Sequence, residues 1–180
     1  MGEFRLETER LVLRSWRDED LQPFHAMCSD PDVMATLGPL MSVDETAALI
    51  GRMNDREERD GHTFWVMESR EAGAFIGFCG VVRAMDGLPI AGKPELGWRM
   101  ARSAWGKGYV TEAAHATIRW CWENLPDDSL YAITSVDNMR SRAVMERIGM
   151  KYCEGEDFDH FNVPSDSPLL RHVLYRLDRN

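Results

Sequence analysis

Four cysteines in 180 residues, no excess of positive charge and no long apolar run set the first limits on this chain. Cys28, Cys79, Cys121 and Cys153 are scattered, with no C-x-x-C pair and no metal-ligand spacing. Thiols placed like this read as small core residues in a reducing compartment; a zinc site or disulfide framework is not expected. No stretch reaches the roughly 18 apolar residues of a membrane span, so no membrane partner is expected. The opening MGEFRLETERLVLR is charged throughout and lacks the apolar core of a secretory signal. Leu6 stands where a myristoylation pattern needs Ser or Thr. A cytoplasmic location is the expectation. With 30 acidic against 21 basic residues the formal net charge is −9. That argues against nucleic-acid binding, which needs a basic stripe to displace counterions. Repeats and low-complexity segments are absent as well.

What is present fits one globular domain over residues 1–180, with 44% hydrophobic and 28% charged residues. "TERLVLRSW" (8–16) alternates as a strand does. A helix is expected to start at Asp18 as N-cap and to be closed by Pro31. "SVDETAALIGRMNDREERDG" (42–61) is a second, amphipathic helix. The period then shortens: "HTFWVMES" and "AFIGFCGVVRA" are strands joined by a turn near Gly73. After a loop rich in turn formers, "ELGWRMA" (95–101) is a strand that runs into "AWGKGYVTEA" (104–113). A helix covers about 108–124, "LYAITSV" (130–136) is a strand, and "NMRSRAVMERIG" (138–149) is a helix with Asn138 as N-cap and Gly149 at C′. "MKYCE" and "RHVLYRL" close the order β-α-α-β-β-β-α-β-α-β-β. That order predicts an α/β (α+β) domain of about seven strands and four helices around a mostly antiparallel sheet.

The turn at 103–109 joins a strand to a helix start and carries two glycines, the makings of a phosphate cradle. A P-loop alignment on Gly106-Lys107 puts Ala101 at the first glycine and Gly108 where magnesium needs a hydroxyl, so it fails twice. A dinucleotide fingerprint fails at its third glycine, which is Thr111. The pattern [QR]-x-x-G-x-[GA] of acyl-coenzyme A pyrophosphate turns fits S-A-W-G-K-G (103–108) at both small positions, with Ser103 in place of Gln or Arg. Backbone N–H groups, a helix dipole and missing Cβ atoms would all favour a diphosphate there. Lys107 either adds a point charge or is a solvated surface lysine.

The second half of the pattern lies downstream. "VDNMRSRAVMERIGMKY" (136–152) resembles the N-x-x-S-x-x-x-x-x-[KR]-[LIV]-G-[MF] segment of the GNAT N-acetyltransferase superfamily. Together with "ELGWRMARSAWGKGYVTEA", "TERLVLRSWRDEDLQPF" and "DPDVM", it is similar to the RimJ/RimL-like branch over nearly the whole chain. The resemblance implies that strands "ELGWRMA" and "LYAITSV" run parallel and splay apart around the pantetheine arm of acetyl-CoA. Trp98 and Met100 would contact that arm, and Ser103, Ala104, Trp105, Gly106, Lys107, Gly108 and Tyr109 would hold the pyrophosphate. Asn138 would touch the arm, and Ser141 would lie near the sulfur. Read without the resemblance, Asn138 caps its helix and Ser141 bonds locally in the first turn.

The implied reaction moves an acetyl group from a thioester to an amine, which arrives protonated because its pKa is about 10.4. A base must take that proton, backbone N–H groups must receive the oxyanion, and a hydroxyl can protonate the departing thiolate. Glu95 is the candidate base, its alternative being a strand-end carboxylate paired with Arg or Lys. Ser141 is the candidate acid, since Met145 stands where many relatives carry a tyrosine; Tyr109 and Tyr152 are the fallbacks. His160 beside Asp159, in the acidic loop 154–167, is an outside candidate for the base. No metal is expected. The acceptor amine belongs to a protein N-terminus or a small molecule, and a homodimer is compatible with the resemblance. A non-catalytic acyl-CoA-binding module with the same fold is the competing reading.

Overall fold

The computed structural model describes residues 3–179. Its backbone is one mixed sheet covered by helices on both faces. The strands are β1 (Arg5–Glu7), β2 (Leu11–Arg14), β3 (Phe64–Ser69), β4 (Phe75–Arg83), β5 (Pro94–Met100), β6 (Ser129–Ser135), β7 (Lys151–Tyr152), β8 (Phe158–Asp159) and β9 (Arg171–Asp178). The helices are α1 (Leu21–Cys28), α2 (Pro31–Met34), α3 (Val43–Asp60), α4 (Tyr109–Asn124) and α5 (Met139–Arg147). Sheet order is β1-β2-β3-β4-β5-β6-β9-β7, with β8 also on β9. Every pairing is antiparallel except the central β5/β6 pair. The expected architecture holds, with nine strands and five helices in place of seven and four.

The differences have local causes. The strand expected over 8–16 is realised as β2 alone, and β1 is an additional strand ahead of it: Thr8 turns the chain by accepting from Leu11 (N–H to Oγ1, 2.9 Å), which folds β1 back on β2. The first helix begins at Leu21, after a 3₁₀ turn over Asp18–Asp20. Asp20 is drawn inward: its two carboxylate oxygens each accept from the buried Arg14 guanidinium at 2.8 Å. Pro31 opens α2 rather than closing α1, with Asp30 accepting from the Asp32 N–H at 2.9 Å as N-cap; the first helical position suits proline. Helix α3 keeps the expected limits through a Ser42/Glu45 capping box and a left-handed Gly61.

Two apolar layers hold the helices to the sheet. Val110, Ala113, Ala114, Ile118 and Cys121 of α4 and Met145 and Ile148 at α5 pack on Leu11, Leu13, Trp65, Cys79, Leu96 and Leu130. On the opposite face Phe24, Met27 and Cys28 of α1 and Met53 of α3 pack on Trp16, Val66 and Phe78. The side chains of β5 alternate between these layers: Leu96 and Met100 meet the α4 layer, so Glu95, Gly97 and Arg99 face the α1/α3 side. Among the described residues no helix is long and apolar enough to cross a membrane.

Candidate active site

The site grows from a defect in the sheet. β4 and β5 are in register over seven residue pairs, but parallel β5 and β6 share only one, Glu95 with Tyr131. Beyond Glu95 the two strands part, leaving backbone polar groups of both open to whatever enters the gap. The chain then makes a 3₁₀ turn at Arg102–Ala104 and starts α4 at Tyr109. Gly106 and Gly108 hold φ of 75° and 76°, a left-handed conformation that β-carbon-bearing residues resist. A Cβ on Gly106 would meet nothing, and on Gly108 only Arg10 Nη2 at 3.6 Å. Glycine is therefore required here by backbone angle, not by crowding inside the protein. Gly108 caps α4 without a side chain, so the N–H groups of the first turn face outward with the positive end of the helix dipole.

A cavity of about 1130 Å³ joins this turn to the gap. Trp98, Met100, Trp105, Gly106, Gly108, Tyr109, Asn138 and Ser141 line it. Trp105 is fixed by its indole N–H donating to the Met100 carbonyl at 3.0 Å and by the Arg140 guanidinium 4.0 Å above its ring. Arg10, just before β2, braces the turn, donating to the Lys107 carbonyl at 2.9 Å and to Glu112 at 2.6 Å. Arg10, Arg99, Arg140 and Arg147 all reach the lining, against Asp32, Glu112 and Asp137. In a chain of net charge −9 this is a local excess of cations, suited to a polyanionic ligand.

The family model of the acetyltransferase (GNAT) domain matches residues 10–151, most of the chain. The chain belongs to the GNAT acetyltransferase family. YkkB of Bacillus subtilis is 31% identical over 150 residues, which cover 82% of this chain and 86% of YkkB. Among solved structures, an acetyltransferase from Agrobacterium tumefaciens superposes with a TM-score of 0.79 at 26% identity, over 99% of this chain and 96% of that one. RimL, a ribosomal L7/L12 alpha-N-protein acetyltransferase, in complex with coenzyme A gives 0.78 at 14% identity, over 97% and 98%. At that identity the likeness to RimL is one of GNAT fold alone.

Within this GNAT scaffold the anticipated residues divide into two groups. Ser103, Ala104 and Lys107 are not among the cavity-lining residues. Ala104 is buried in the α4 layer and its N–H bonds the Ala101 carbonyl, so the cradle begins at Trp105. Lys107 is exposed, and its contact with the site is the backbone carbonyl that Arg10 takes. Asn138 is buried and largely committed: its side-chain oxygen accepts from the Ser141 N–H at 3.2 Å, and its amide donates to Thr134 Oγ1 at 2.9 Å. One amide hydrogen is left for a ligand. The Ser141 hydroxyl lines the cavity and has no hydrogen-bond partner among the described residues.

Glu95 sits where the splay begins and is not part of the cavity lining. Burial pushes its carboxyl up to about 7, with the Arg56 charge on α3 pulling the other way. A group that titrates near neutrality can both accept and release a proton. Met145 is buried in the core and Tyr152 is exposed with its hydroxyl on Asp157; neither reaches the site. Tyr109 does, beneath the Arg10 guanidinium. His160 lies outside the lining. Its ring is 4.8 Å from that of His172, and Asp159 pairs with Arg171 instead. Arg10, His115, Arg140 and Arg147 were not singled out by sequence, because each looks like an ordinary surface cation until the chain is folded.

Proposed function

We propose that this GNAT protein transfers an acetyl group from acetyl-CoA to a primary amine by direct attack in a ternary complex. The observation that carries the reading is the continuity of the cavity. Its lining includes both the uncapped N-terminus of α4 with its two left-handed glycines and Arg99, which projects on the α1/α3 side of the sheet. A diphosphate would rest on the N–H groups of residues 106–111, helped by Arg10, Arg140 or Arg147. The pantetheine arm would follow the gap past Trp98 and Met100.

The amine nitrogen attacks the acetyl carbonyl carbon, the carbonyl π electrons move to oxygen, and backbone N–H groups of the splayed β5 receive that oxyanion. Glu95 takes the amine proton through water, since its carboxyl is set back from the cavity. Collapse of the tetrahedral carbon breaks the C–S bond, and the Ser141 hydroxyl, free of internal bonds, hands its proton to the thiolate and regains one through water, which balances the proton that Glu95 took from nitrogen. The acceptor is a small amine or a protein N-terminus.

The test is release of free thiol from acetyl-CoA against a panel of amines and N-terminal peptides, with the acetylated product identified by mass. Acceptor-stimulated release with a stoichiometric product supports transfer. Tight coenzyme A binding with no stimulated release across the panel would leave a non-catalytic binding module.

A further inference from the structure

Arg99 is the outlier among the cations at the cavity. It projects from β5 on the same face as Glu95, four residues on, and so about 13 Å away along the strand. Gly97 between them carries no side chain, and a Cβ there would lie 2.6 Å from the Phe64 ring. Phe64 stacks on Phe78 with centroids 5.5 Å apart, and the Arg99 guanidinium lies 5.6 Å from the Phe78 ring. The strand thus presents an apolar aromatic floor with a carboxyl at one end and a guanidinium at the other.

The partners of that guanidinium are poor. Arg99 Nη1 donates to Cys28 Sγ at 3.1 Å and more distantly to Met41 Sδ at 3.9 Å. Sulfur is a weak acceptor. Burial pushes the Cys28 thiol up, against the pull of Arg99 itself, so the sulfur is neutral and supplies no counter-charge. Arg99 Nε is shielded from solvent and is the buried side-chain N/O atom without a hydrogen-bond partner among the described residues. Arg99 is also absent from the ion pairs there, whereas the neighbouring cavity carboxylates Asp32 and Glu112 are held by Arg102 and Arg10. An unsatisfied buried donor costs stability, and its retention on a cavity wall points to a ligand. The coenzyme's diphosphate cradle is on the α4 side, while Arg99 contacts α1, so the missing anion belongs to the acceptor.

Building on the transfer reading above, we propose that Arg99 is the acceptor-specificity residue and selects amines that also carry a carboxylate, by a charge-assisted hydrogen bond to that group. Nη2 has no hydrogen-bond partner among the described residues and, unlike Nε, is not shielded from solvent, so it offers the charge-assisted donor that a carboxylate accepts. The carboxylate can come from a free amino acid or from an acidic residue beside a peptide N-terminus.

Two measurements test it. In the first, matched acceptors are compared by thiol release: phenylalanine against phenethylamine, and peptides beginning with Glu against those beginning with Gln. Wild type should favour the carboxylate member of at least one pair by roughly tenfold or more in kcat/KM, the pair showing which source is used. Arg99→Leu should erase that preference through KM, and Arg99→Lys should restore part of it. Equal turnover of both members of every pair, or an equal loss for both in Arg99→Leu, overturns the proposal and leaves acetyl transfer standing. In the second, coenzyme A-loaded protein is titrated calorimetrically with 3-phenylpropionate and N-acetylglutamate peptides, which bear the carboxylate but no reactive amine. Binding by wild type that is lost in Arg99→Leu supports the anion site even where transfer itself fails. No binding of either probe to wild type counts against it.

Discussion

Replacing Glu95 by Gln removes one titrating group and nothing of its size. In the folded protein burial raises the Glu95 carboxyl from its ordinary 4.5 to about 7. Keeping it ionised there costs about 3 kcal/mol, an upper figure because part of the side chain stays solvent-accessible. The sign follows from the direction. A carboxyl whose folded pKa exceeds its unfolded value binds more protons in the native state, so stability is lost as pH rises from about 4.5 to 7. Below that window the two states are equally protonated, and above it the loss is complete. Glu95→Gln does not titrate, so its stability relative to wild type should grow by up to about 3 kcal/mol between pH 4.5 and pH 8. Urea unfolding of both proteins at several pH values reads this difference, and titrations elsewhere in the chain cancel. The same substitution should lower kcat/KM by roughly 10²-fold or more and remove the limb that rises through about pH 7. A stability difference that stays flat with pH would refute the placement of Glu95 in a desolvated site, and an unchanged kinetic limb would refute its role as base.

Ser141→Ala should reduce kcat by roughly tenfold or more while leaving coenzyme A affinity within about two-fold, because only leaving-group protonation is lost; full turnover would remove Ser141 from the reaction. Arg14→Met should destabilise the fold by about 3–5 kcal/mol in urea, since it strands the buried Asp20 carboxylate. Asp20→Asn in that background should recover part of the loss, and a near-neutral Arg14→Met would mean the pair contributes little.

Short-range features of the fold were legible in the sequence because their causes are local. Ser42 with Glu45, Gly61, and Asn138 with Gly149 set helix limits within a few residues of themselves, and the helices end where those residues stand. In the sequence Gly106 and Gly108 signal close approach of a ligand; their left-handed angles show a further demand of the turn itself. The two-residue strand β8 is not legible in the sequence, because its pairing partner, β9, lies more than ten residues away and two residues carry no period. The cavity was half legible. Part of its lining comes from within one short stretch, 98–100 and 105–109, but its charge comes also from Arg10, just before β2, and from Arg140 and Arg147 of α5. Arg99 is invisible in the string "GWRMA", since what distinguishes it is the absence of an oxygen partner after folding.

The account rests on the diphosphate cradle at the start of α4, and calorimetric titration of coenzyme A into wild type and Gly108→Val tests it most directly. Valine at a φ of 76° is strained by roughly 1–2 kcal/mol or more and redirects the N–H groups of the first helical turn. The predicted result is saturable binding to wild type and at least a tenfold weaker Kd in the variant, with both proteins folded by their melting profiles. Absence of coenzyme A binding to folded wild type, or equal affinity in Gly108→Val, would contradict it.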